Sequence, residues 1–448
     1  MTTIQSILSA ARSGMNVSQT LAALASRNLA NVNTPGYARE VLPIMSEIGG
    51  LAVRAGHPYA TREALLERAL ASTVGRFAYH DAQVGHLQLA EQATNDLDDA
   101  GLGGALDAFR FALSTASANP SGRSEREGVL AAARAVAGAF STTRSQLEQG
   151  RDATEQQTHA VASRINQLTT QIAQLNARIR AARPGEEANT LNSQRAALVE
   201  TLSGLVEVDV LPRSDGTIQI STGGRTLVEL DSAAHLTVEG GAGSALQVTF
   251  VRPGHAPIPA SGNVGGELGG LVTVHNDTLM PALAALDQAA HGFMQSFNAS
   301  HASGVGLDGQ SGRSFWSLPE YVAGAAADMQ LSTDVSGSPM DIALARDASA
   351  LPGDNSNVAI LDKHLADARA AFRTIGNGIT DKLVQAQGGA ALERGSVEQL
   401  ANMLASATGV SIDEEMISLS QAQTALEASS TVVREVQTMI DTVLSLVT

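Results

Sequence analysis

The sequence predicts a mainly α-helical, multidomain α+β fold in which a small antiparallel β module is inserted between helices. Three observations predict it. Apolar residues at both ends recur at alternating intervals of three and four, the same spacing defines a long helical hairpin, and near residue 206 the period falls to two. Aromatic residues make up only 3% of the 448 residues, so aliphatic side chains must fill the cores, which suits closely packed helices.

Both ends of the chain carry a narrow apolar stripe of the kind found in coiled coils. At the carboxyl end the stripe continues to Val447 and comprises Ile412, Leu419, Leu426, Val433, Val436 and Ile440. At the amino end it comprises Ile4, Leu8, Met15, Leu29 and Val32. Because so narrow a stripe does not stabilise an isolated helix, we predict that each terminal helix packs against a partner helix. Periodicity alone also allows two ordinary amphipathic helices on one globular core.

The first helix is predicted to end in a tight turn. The segment Asn-Val-Asn-Thr-Pro-Gly-Tyr supplies the turn residues Asn31, Asn33, Pro35, Gly36 and Tyr37. A residue that precedes proline is driven out of the helical region. Pro-Gly then suits the two central positions of a type II turn. We therefore predict that the chain leaves the terminal layer here.

Helical patterns dominate the segment that follows. One pattern covers residues 76–100 and another covers 102–119. A coiled-coil-like pattern at 161–179 is broken at Arg183-Pro184-Gly185 and returns at 191–205. This arrangement predicts a long helical hairpin.

An inserted β module is predicted where short apolar stretches alternate with Gly-rich turns. Helical patterning then returns near Leu271 and runs to about His301, and three further helical patterns occupy 358–374, 375–386 and 396–407. The predicted domains are a terminal helical layer (1–40 and 408–448), a helical core domain with the long hairpin (41–205 and 271–407) and a β-rich outer domain (206–270).

Composition argues against nucleic-acid binding and catalysis. The formal net charge is −16, and no basic cluster supplies the charge that phosphate neutralisation needs. The absence of cysteine excludes disulfides and thiolate zinc sites. The histidines are scattered, and no nucleophile–base pair stands out. We expect no catalytic residue, no cofactor and no metal, and therefore no enzyme.

Three sequence features match known sites only in part. The acidic run at 96–99 suggests a calcium loop but lacks the later oxygen ligands and the glutamate. Gly304–Gly309 matches the dinucleotide fingerprint outside a strand–turn–helix context, so a loop is the better interpretation. Glu414 and Glu415 could act as acid and base, but in the first turn of a helix they are explained by stabilisation of its dipole.

Features of cleaved or membrane-spanning segments are missing. No charged region precedes an apolar stretch and a small-residue cleavage site at the amino terminus. No segment reaches the roughly 18 apolar residues that a membrane span requires. We expect no cleaved signal peptide and no membrane insertion, so any export would follow another route.

The two ends also resemble a known superfamily. Residues 28–39 (Asn-Leu-Ala-Asn-Val-Asn-Thr-Pro-Gly-Tyr-Ala-Arg) resemble the signature of bacterial flagellar rod, hook and hook-associated proteins, and residues 409–422 resemble their closing helix. Four inner segments resemble the hook-associated protein 1 (FlgK) family: 106–109, 118–121, 265–271 and 297–312. The chain departs from the family after Trp316, where an outer β-rich module of longer members is expected to be absent.

The resemblance implies a structural role. It implies that copies form a ring in the flagellar axis between hook and filament, with the hook protein and the next hook-associated junction protein as partners. It also implies export to the cell exterior by the flagellar type III system, with a chaperone on the carboxyl-terminal helix. The terminal helices would then pair as a coiled-coil-like layer with a helical bundle outside it, and their stripes would be the assembly interface.

Three other functions remain as alternatives. A rod or hook subunit would share both ends but should lack a hairpin as prominent as that at 153–205. A non-flagellar coiled-coil adaptor would remain in the cytoplasm. An enzyme that cleaves glycans or peptides would need a pocket with perturbed carboxylates.

Overall fold

The chain is mainly helical, with antiparallel sheets inserted between its helices. The computed structural model describes residues 2–46, 52–95, 101–241, 243–252, 254–260 and 262–445. Its long helices and inserted antiparallel sheets confirm the predicted mainly α-helical α+β fold class. The acidic run at 96–99 and Val447 lie outside the described residues.

Long helices alternate with short strands along the chain. The helices are α1 (Thr2–Ala30), α2 (Ala64–Thr94), α3 (Leu102–Ala118), α4 (Arg123–Ala181), α5 (Glu186–Leu205), α6 (Gly266–Val274), α7 (Met280–Ala302), α8 (Thr333–Ser336), α9 (Val358–Thr408) and α10 (Ile412–Ser445). A π-helical turn at His275–Leu279 joins α6 to α7, and 3₁₀ turns lie at Pro339–Asp341 and Ala348–Ala350.

The strands form small antiparallel sheets. They are β1 (Glu40–Val41), β2 (Ile44–Ser46), β3 (Val53–Ala55), β4 (Tyr59–Ala60), β5 (Asp209–Pro212), β6 (Ile218–Thr222), β7 (Arg225–Glu229), β8 (Ser232–Ala233), β9 (His235–Gly241), β10 (Ser244–Val251) and β11 (Ile258–Pro259). Strands β1–β4 make two short ladders, β1 with β4 and β2 with β3. The inserted module contains a four-stranded sheet in the order β5-β6-β7-β8 and a three-stranded sheet in the order β11-β10-β9.

The first hydrophobic core is aromatic and lies among α3, α4, α7 and α9. Five of its rings contact one another, with neighbouring centroids 4.9 to 6.3 Å apart, and they belong to Phe109, Phe293, Phe297, Phe315 and Trp316. Edge and tilted contacts of this kind add stability beyond the buried area. The few aromatic residues of the chain are thus concentrated in the helical core.

The second core joins the hairpin of α4 and α5 to the β module, and three asparagines fix that joint. Asn166 donates to the carbonyl of Leu236 (2.8 Å) and accepts from its N–H (2.7 Å). Asn276 binds both backbone groups of Leu246, each at 2.8 Å, and Asn176 does the same for Ile218 (2.8 and 3.2 Å). Each amide thereby replaces a neighbouring strand, so the β module is held firmly on the helices.

The three helical patterns predicted at 358–407 form one continuous helix, α9, and the helix predicted at 76–100 is the longer α2. The two helices pack against each other extensively. Gly389 lies in the gap between the second and third predicted patterns. A Cβ at this position would lie 2.7 Å from the ring of His80 on α2. Gly389, one of the glycines that weaken the helical pattern of α9 in sequence, therefore permits a close approach of α2.

Candidate functional site

The two ends of the chain pack together as a pair of helices. Helix α10 contacts α1 extensively, and α1 also meets the short strands β3 and β1 and pairs through Arg27 with Glu186 of α5. The most deeply buried apolar side chains of the pair are Val17, Leu24, Ala25, Ala422 and Val436. The pair is thus a thin layer attached to the helical core through the segments 31–63 and 409–411.

The predicted stripe residues lie in and around this layer. Val436 is buried, and Ile412 is 52% exposed. The others are half-buried: Ile4, Leu8, Met15, Leu29, Val32, Leu419, Leu426, Val433 and Ile440. On α1 the buried face is turned toward Ser18 and Asn28, which are 5% and 1% exposed. Because Asn28 is polar, apolar periodicity alone does not place it on this face.

A second apolar stripe lies on the exposed side of α10. It consists of Ile417, Val432 and Met439, which are 58%, 41% and 57% exposed. The polar residues Gln421 and Thr424 interrupt it, so apolar periodicity does not reveal it. A layer with an apolar face on each side is typical of a helix pair that packs against further helices.

The chain leaves the layer through a type II turn, as the sequence predicts. The carbonyl of Thr34 accepts from the N–H of Tyr37 at 3.1 Å, and Gly36 has a φ of +73°. Gly36 also presses on α5, where an added Cβ would lie 2.8 Å from the carbonyl oxygen of Ser193 and from the N of Ala197. The turn therefore joins the terminal layer to the helical hairpin.

Gly36→Ala should destabilise the protein by about 3 kcal/mol, because the new methyl group meets backbone atoms and the left-handed conformation costs about 1–2 kcal/mol by itself. Gly309→Ala is the matched control, since Gly309 has nearly the same φ (+78°) and open space around it. Urea unfolding of both variants separates the two costs. Equal losses would show that the contact with α5 contributes nothing.

Asn28 is the centre of a buried polar network beside this turn. Its amide donates to the carbonyl of Glu40 (3.0 Å) and to Oε2 of Glu415 (3.2 Å). Its Oδ1 accepts from the hydroxyl of Tyr37 (2.7 Å) and from the N–H of Glu40 (3.1 Å). One side chain thus connects α1, the turn, β1 and α10.

Arg39 spans the break between α9 and α10. Its backbone N–H donates to the carbonyl of Thr408 (2.9 Å), which is the last residue of α9. Its guanidinium donates to Oε1 of Glu415 (2.7 Å) and Oε2 of Glu414 (2.9 Å). Stabilisation of the helix dipole is therefore an incomplete account of this acidic pair, since both carboxylates also bind the signature segment. We call Asn28, Tyr37, Arg39, Glu40 and Glu415 the clasp.

The electrostatics of the clasp keep Tyr37 protonated near neutral pH. Burial, followed by the nearby Glu40 carboxylate, raises the pKa of Tyr37 to about 12, so its hydroxyl stays a donor. Burial raises the pKa of Glu40, and the positive charge of Arg27 opposes that shift. The Nε of Arg27 lies 3.5 Å from Oε2 of Glu40, and its Nη1 lies 2.5 Å from Oε1 of Glu186 on α5.

Most of the clasp lies within the two segments that carry the sequence resemblance. Asn28, Tyr37 and Arg39 belong to residues 28–39, and Glu415 belongs to residues 409–422. Nothing in the sequence pairs residues that are 376 positions apart, so their contact could not be predicted. The arrangement suits mechanical attachment and offers no nucleophile beside a base.

The described residues show neither a cluster of metal ligands nor a helix suited to a membrane. In the part of the chain that the structure describes, no three His, Cys, Asp or Glu side chains are grouped as metal ligands would be. Among the described helices, none combines the length and apolar character needed to cross a bilayer.

Comparisons with known proteins agree on one family. The model of the flagellar hook-associated protein FlgK helical domain matches residues 87–316, and that of the flagellar basal body rod FlgEFG protein C-terminal matches 401–446. A flagellar hook-associated protein 1 from Salmonella typhimurium is 27% identical over 70% of this chain and 60% of its own length. One from Bacillus subtilis is 25% identical over 98% and 97%.

A solved structure is similar as well. The flagellar hook junction protein FlgK from Burkholderia pseudomallei superposes with a TM-score of 0.51 and 26% identity, covering 56% of this chain and 46% of that one. The chain spans about three fifths of the length of its Salmonella relative.

Proposed function

The chain belongs to the flagellar hook-associated protein FlgK family, and from that membership we propose that it is a structural subunit of the bacterial flagellum at the junction between hook and filament. The match to the helical domain covers about half of the chain and includes the hairpin of α4 and α5. That match favours a hook-associated protein over a rod or hook subunit, with which this chain shares a match only at the carboxyl end.

The observation that carries the proposal is the second apolar stripe on α10. Ile417, Val432 and Met439 are largely uncovered within one chain, although an apolar side chain gains about 1.5–3 kcal/mol when it becomes fully buried. Neighbouring copies of the same helix pair would supply that cover. We propose that the apolar stripes on α1 and α10, both the predicted ones and the second one on α10, form the polymerisation surface. In the assembly the terminal layer would lie innermost, the helical core around it and the β module outermost.

The partners follow from this placement. Copies would form a ring whose two faces meet the hook protein and the next hook-associated junction protein. We propose export by the flagellar type III system without a cleaved signal peptide, with a chaperone covering α10 before assembly. An exposed stripe on that helix is the kind of surface that a chaperone would need to shield.

We propose that the chain has no enzymatic activity. Its family is known for a structural role, and the clasp residues are all engaged with one another. The buried carboxylates Glu40 and Glu415 contact arginines and amides of the chain itself. A coiled-coil adaptor is the remaining alternative, and the location of the chain distinguishes the two.

Replacing Ile417, Val432 and Met439 together by serine should abolish assembly while leaving the monomer folded, because all three side chains are already largely exposed. In cells that lack their own copy of the protein, labelling of hook tips should fall at least about tenfold, since roughly 1.4 kcal/mol of lost association energy is enough for that factor. Circular dichroism of the purified variant should be unchanged.

Leu211→Ser is the matched control, because Leu211 is 53% exposed on the β module and lies outside the proposed surface. It should label hook tips normally and restore motility. If the triple variant assembled as well as the control, the outer stripe would not be the polymerisation surface. If neither variant nor the unchanged chain reached hook tips, the junction function itself would be wrong.

A further inference from the structure

Two exposed surfaces of the chain carry opposite charge. The contact that we infer between them rests on the proposed function. The first, here called the acidic loop, is formed by Leu318, Glu320, Tyr321 and Val322. The second, here called the terminal groove, lies between α1 and β3. Each surface combines apolar side chains with charged side chains that form no ion pair with any described residue.

The acidic loop displays three apolar side chains. Leu318, Tyr321 and Val322 are 42%, 71% and 45% exposed, within five consecutive positions. Glu320 between them is exposed, and no described residue forms an ion pair with it. Tyrosine is one of the residues that are enriched in binding hot spots.

The loop is held rigidly, so the exposure of these side chains is built into the fold. At its start, Oδ1 of Asn298 accepts from the N–H of Trp316 (2.7 Å), and the amide of Asn298 donates to the Trp316 carbonyl (2.8 Å). At its end, the carboxylate of Asp287 accepts from the N–H groups of Gly324 (2.8 Å) and Ala326 (3.1 Å). A side chain presented by a fixed backbone loses little entropy on binding.

The terminal groove has the complementary character. It has a volume of about 720 Å³, and its apolar wall includes Leu8, Val17 and Val53. Arg12 and Arg54 line it as well, are exposed, and form no ion pair with any described residue. In a chain with 45 acidic and 29 basic residues, two unpaired arginines beside an apolar groove favour an acidic, apolar occupant.

The loop cannot reach the groove of its own chain. Beside the loop, Ser300 of α7 bonds to His364 of α9 (2.8 Å), whereas Arg39 at the terminal layer bonds to Thr408 at the end of α9. These points are 44 residues of helix apart (408 minus 364), or roughly 65 Å at the rise of an α-helix. A contact between the two surfaces must therefore join different copies.

We propose that the acidic loop of one copy docks into the terminal groove of a second copy. Tyr321, Leu318 and Val322 would cover Leu8 and Val53, while Glu320 would pair with Arg12 or Arg54. Because the two surfaces differ, the contact is heterologous, and repetition of it around an axis closes into a ring when the rotation permits.

Disulfide cross-linking tests the contact, and the chain offers a clean background because it contains no cysteine. Copies with Tyr321→Cys and copies with Val53→Cys are produced together in flagellated cells, and isolated flagella are oxidised. We expect a covalent dimer, since a disulfide requires Cβ atoms within about 4.5 Å. Leu211→Cys mixed with Val53→Cys is the control and should give no dimer.

Charge reversal tests the pairing independently. Glu320→Arg alone should lower the dimer yield about fivefold, and Arg12→Glu with Arg54→Glu should do the same, because like charges then face each other. All three changes together should restore the yield. A dimer yield that stayed the same in all the charge-reversed variants would overturn the proposed pairing.

The outcomes distinguish the docking contact from the proposed junction role. If the chain labels hook tips but gives no dimer, or if the Tyr321→Cys variant cross-links to the hook protein instead, the docking is overturned and the junction role stays intact. A chain absent from hook tips would overturn the junction role itself.

Discussion

Asn28→Leu should lower the free energy of opening of the terminal layer by about 4 kcal/mol. Leucine branches at the same atom as asparagine, but it leaves the N–H and carbonyl of Glu40, the hydroxyl of Tyr37 and a carboxylate oxygen of Glu415 without their partner. A buried polar group that loses its partner costs about 1–3 kcal/mol. Native-state hydrogen exchange at the amides of Glu40 and of α10 measures the loss directly.

Asn31→Leu is the control for this experiment. Asn31 lies three residues away at the same helix end and is only half-buried, and its amide bonds to the carbonyl of Arg27 (2.9 Å) in its own helix. Its replacement should cost about 1 kcal/mol or less. If both variants lost equal protection, the network around Asn28 would have no special part in holding α1 to α10.

Acidification should destabilise the helical core through His301. This side chain is fully buried. Its Nε2 accepts from the N–H of Ala343 (2.9 Å), so the ring proton sits on Nδ1, which donates to the carbonyl of Arg313 (2.8 Å). Burial lowers the pKa of His301 to about 4. A proton on Nε2 would place two donors face to face in a buried site.

The direction of the effect follows from the two pKa values. Between about pH 6.5, where the histidine titrates in the unfolded chain, and about pH 4, the unfolded state binds more protons, so stability falls as pH falls. The total loss is about 3 kcal/mol and is complete below about pH 4. Above about pH 6.5 the side chain is neutral in both states, and pH has no effect through it.

Urea unfolding at about pH 7 and about pH 4.5 measures this loss, with His301→Gln as the comparison. The variant will be less stable at neutral pH, but its further loss on acidification should be about 2–3 kcal/mol smaller than that of the unchanged chain. The carboxylates and the half-buried His86 are common to both proteins, so their contributions cancel. Equal losses would mean that His301 is already charged or accessible.

Local sequence signals predict much of this fold. The alternation of apolar residues predicts the hairpin of α4 and α5, Pro35-Gly36 predicts the type II turn, and the change of period predicts the β module. These features depend on neighbours a few positions away, so periodicity and turn chemistry suffice to recognise them. The assignment of whole domains to 1–40 with 408–448, to the core and to 206–270 remains a prediction.

The site is less accessible to prediction for a physical reason. Although both residues lie in the signature segments, the local pattern gives Asn28 no special role and explains Glu415 as a helix-start acid, because their partners lie at the opposite end of the chain. The clasp exists only when both ends meet, and polar side chains carry no periodic signal of such a meeting. The same is true of Asn166, Asn176 and Asn276, which bind strand backbones.

Helix α4 has a consequence for how the molecule bears load. Its 59 residues run unbroken from the aromatic core, where Phe140 is buried, to the hairpin tip, where Leu175 and Ile179 are buried against α5. At the rise of an α-helix this is a strut of roughly 90 Å. A tension or torque applied at one end passes along one hydrogen-bonded backbone, with no linker to stretch first. In the junction role proposed above, the subunit should therefore transmit torque as a stiff element.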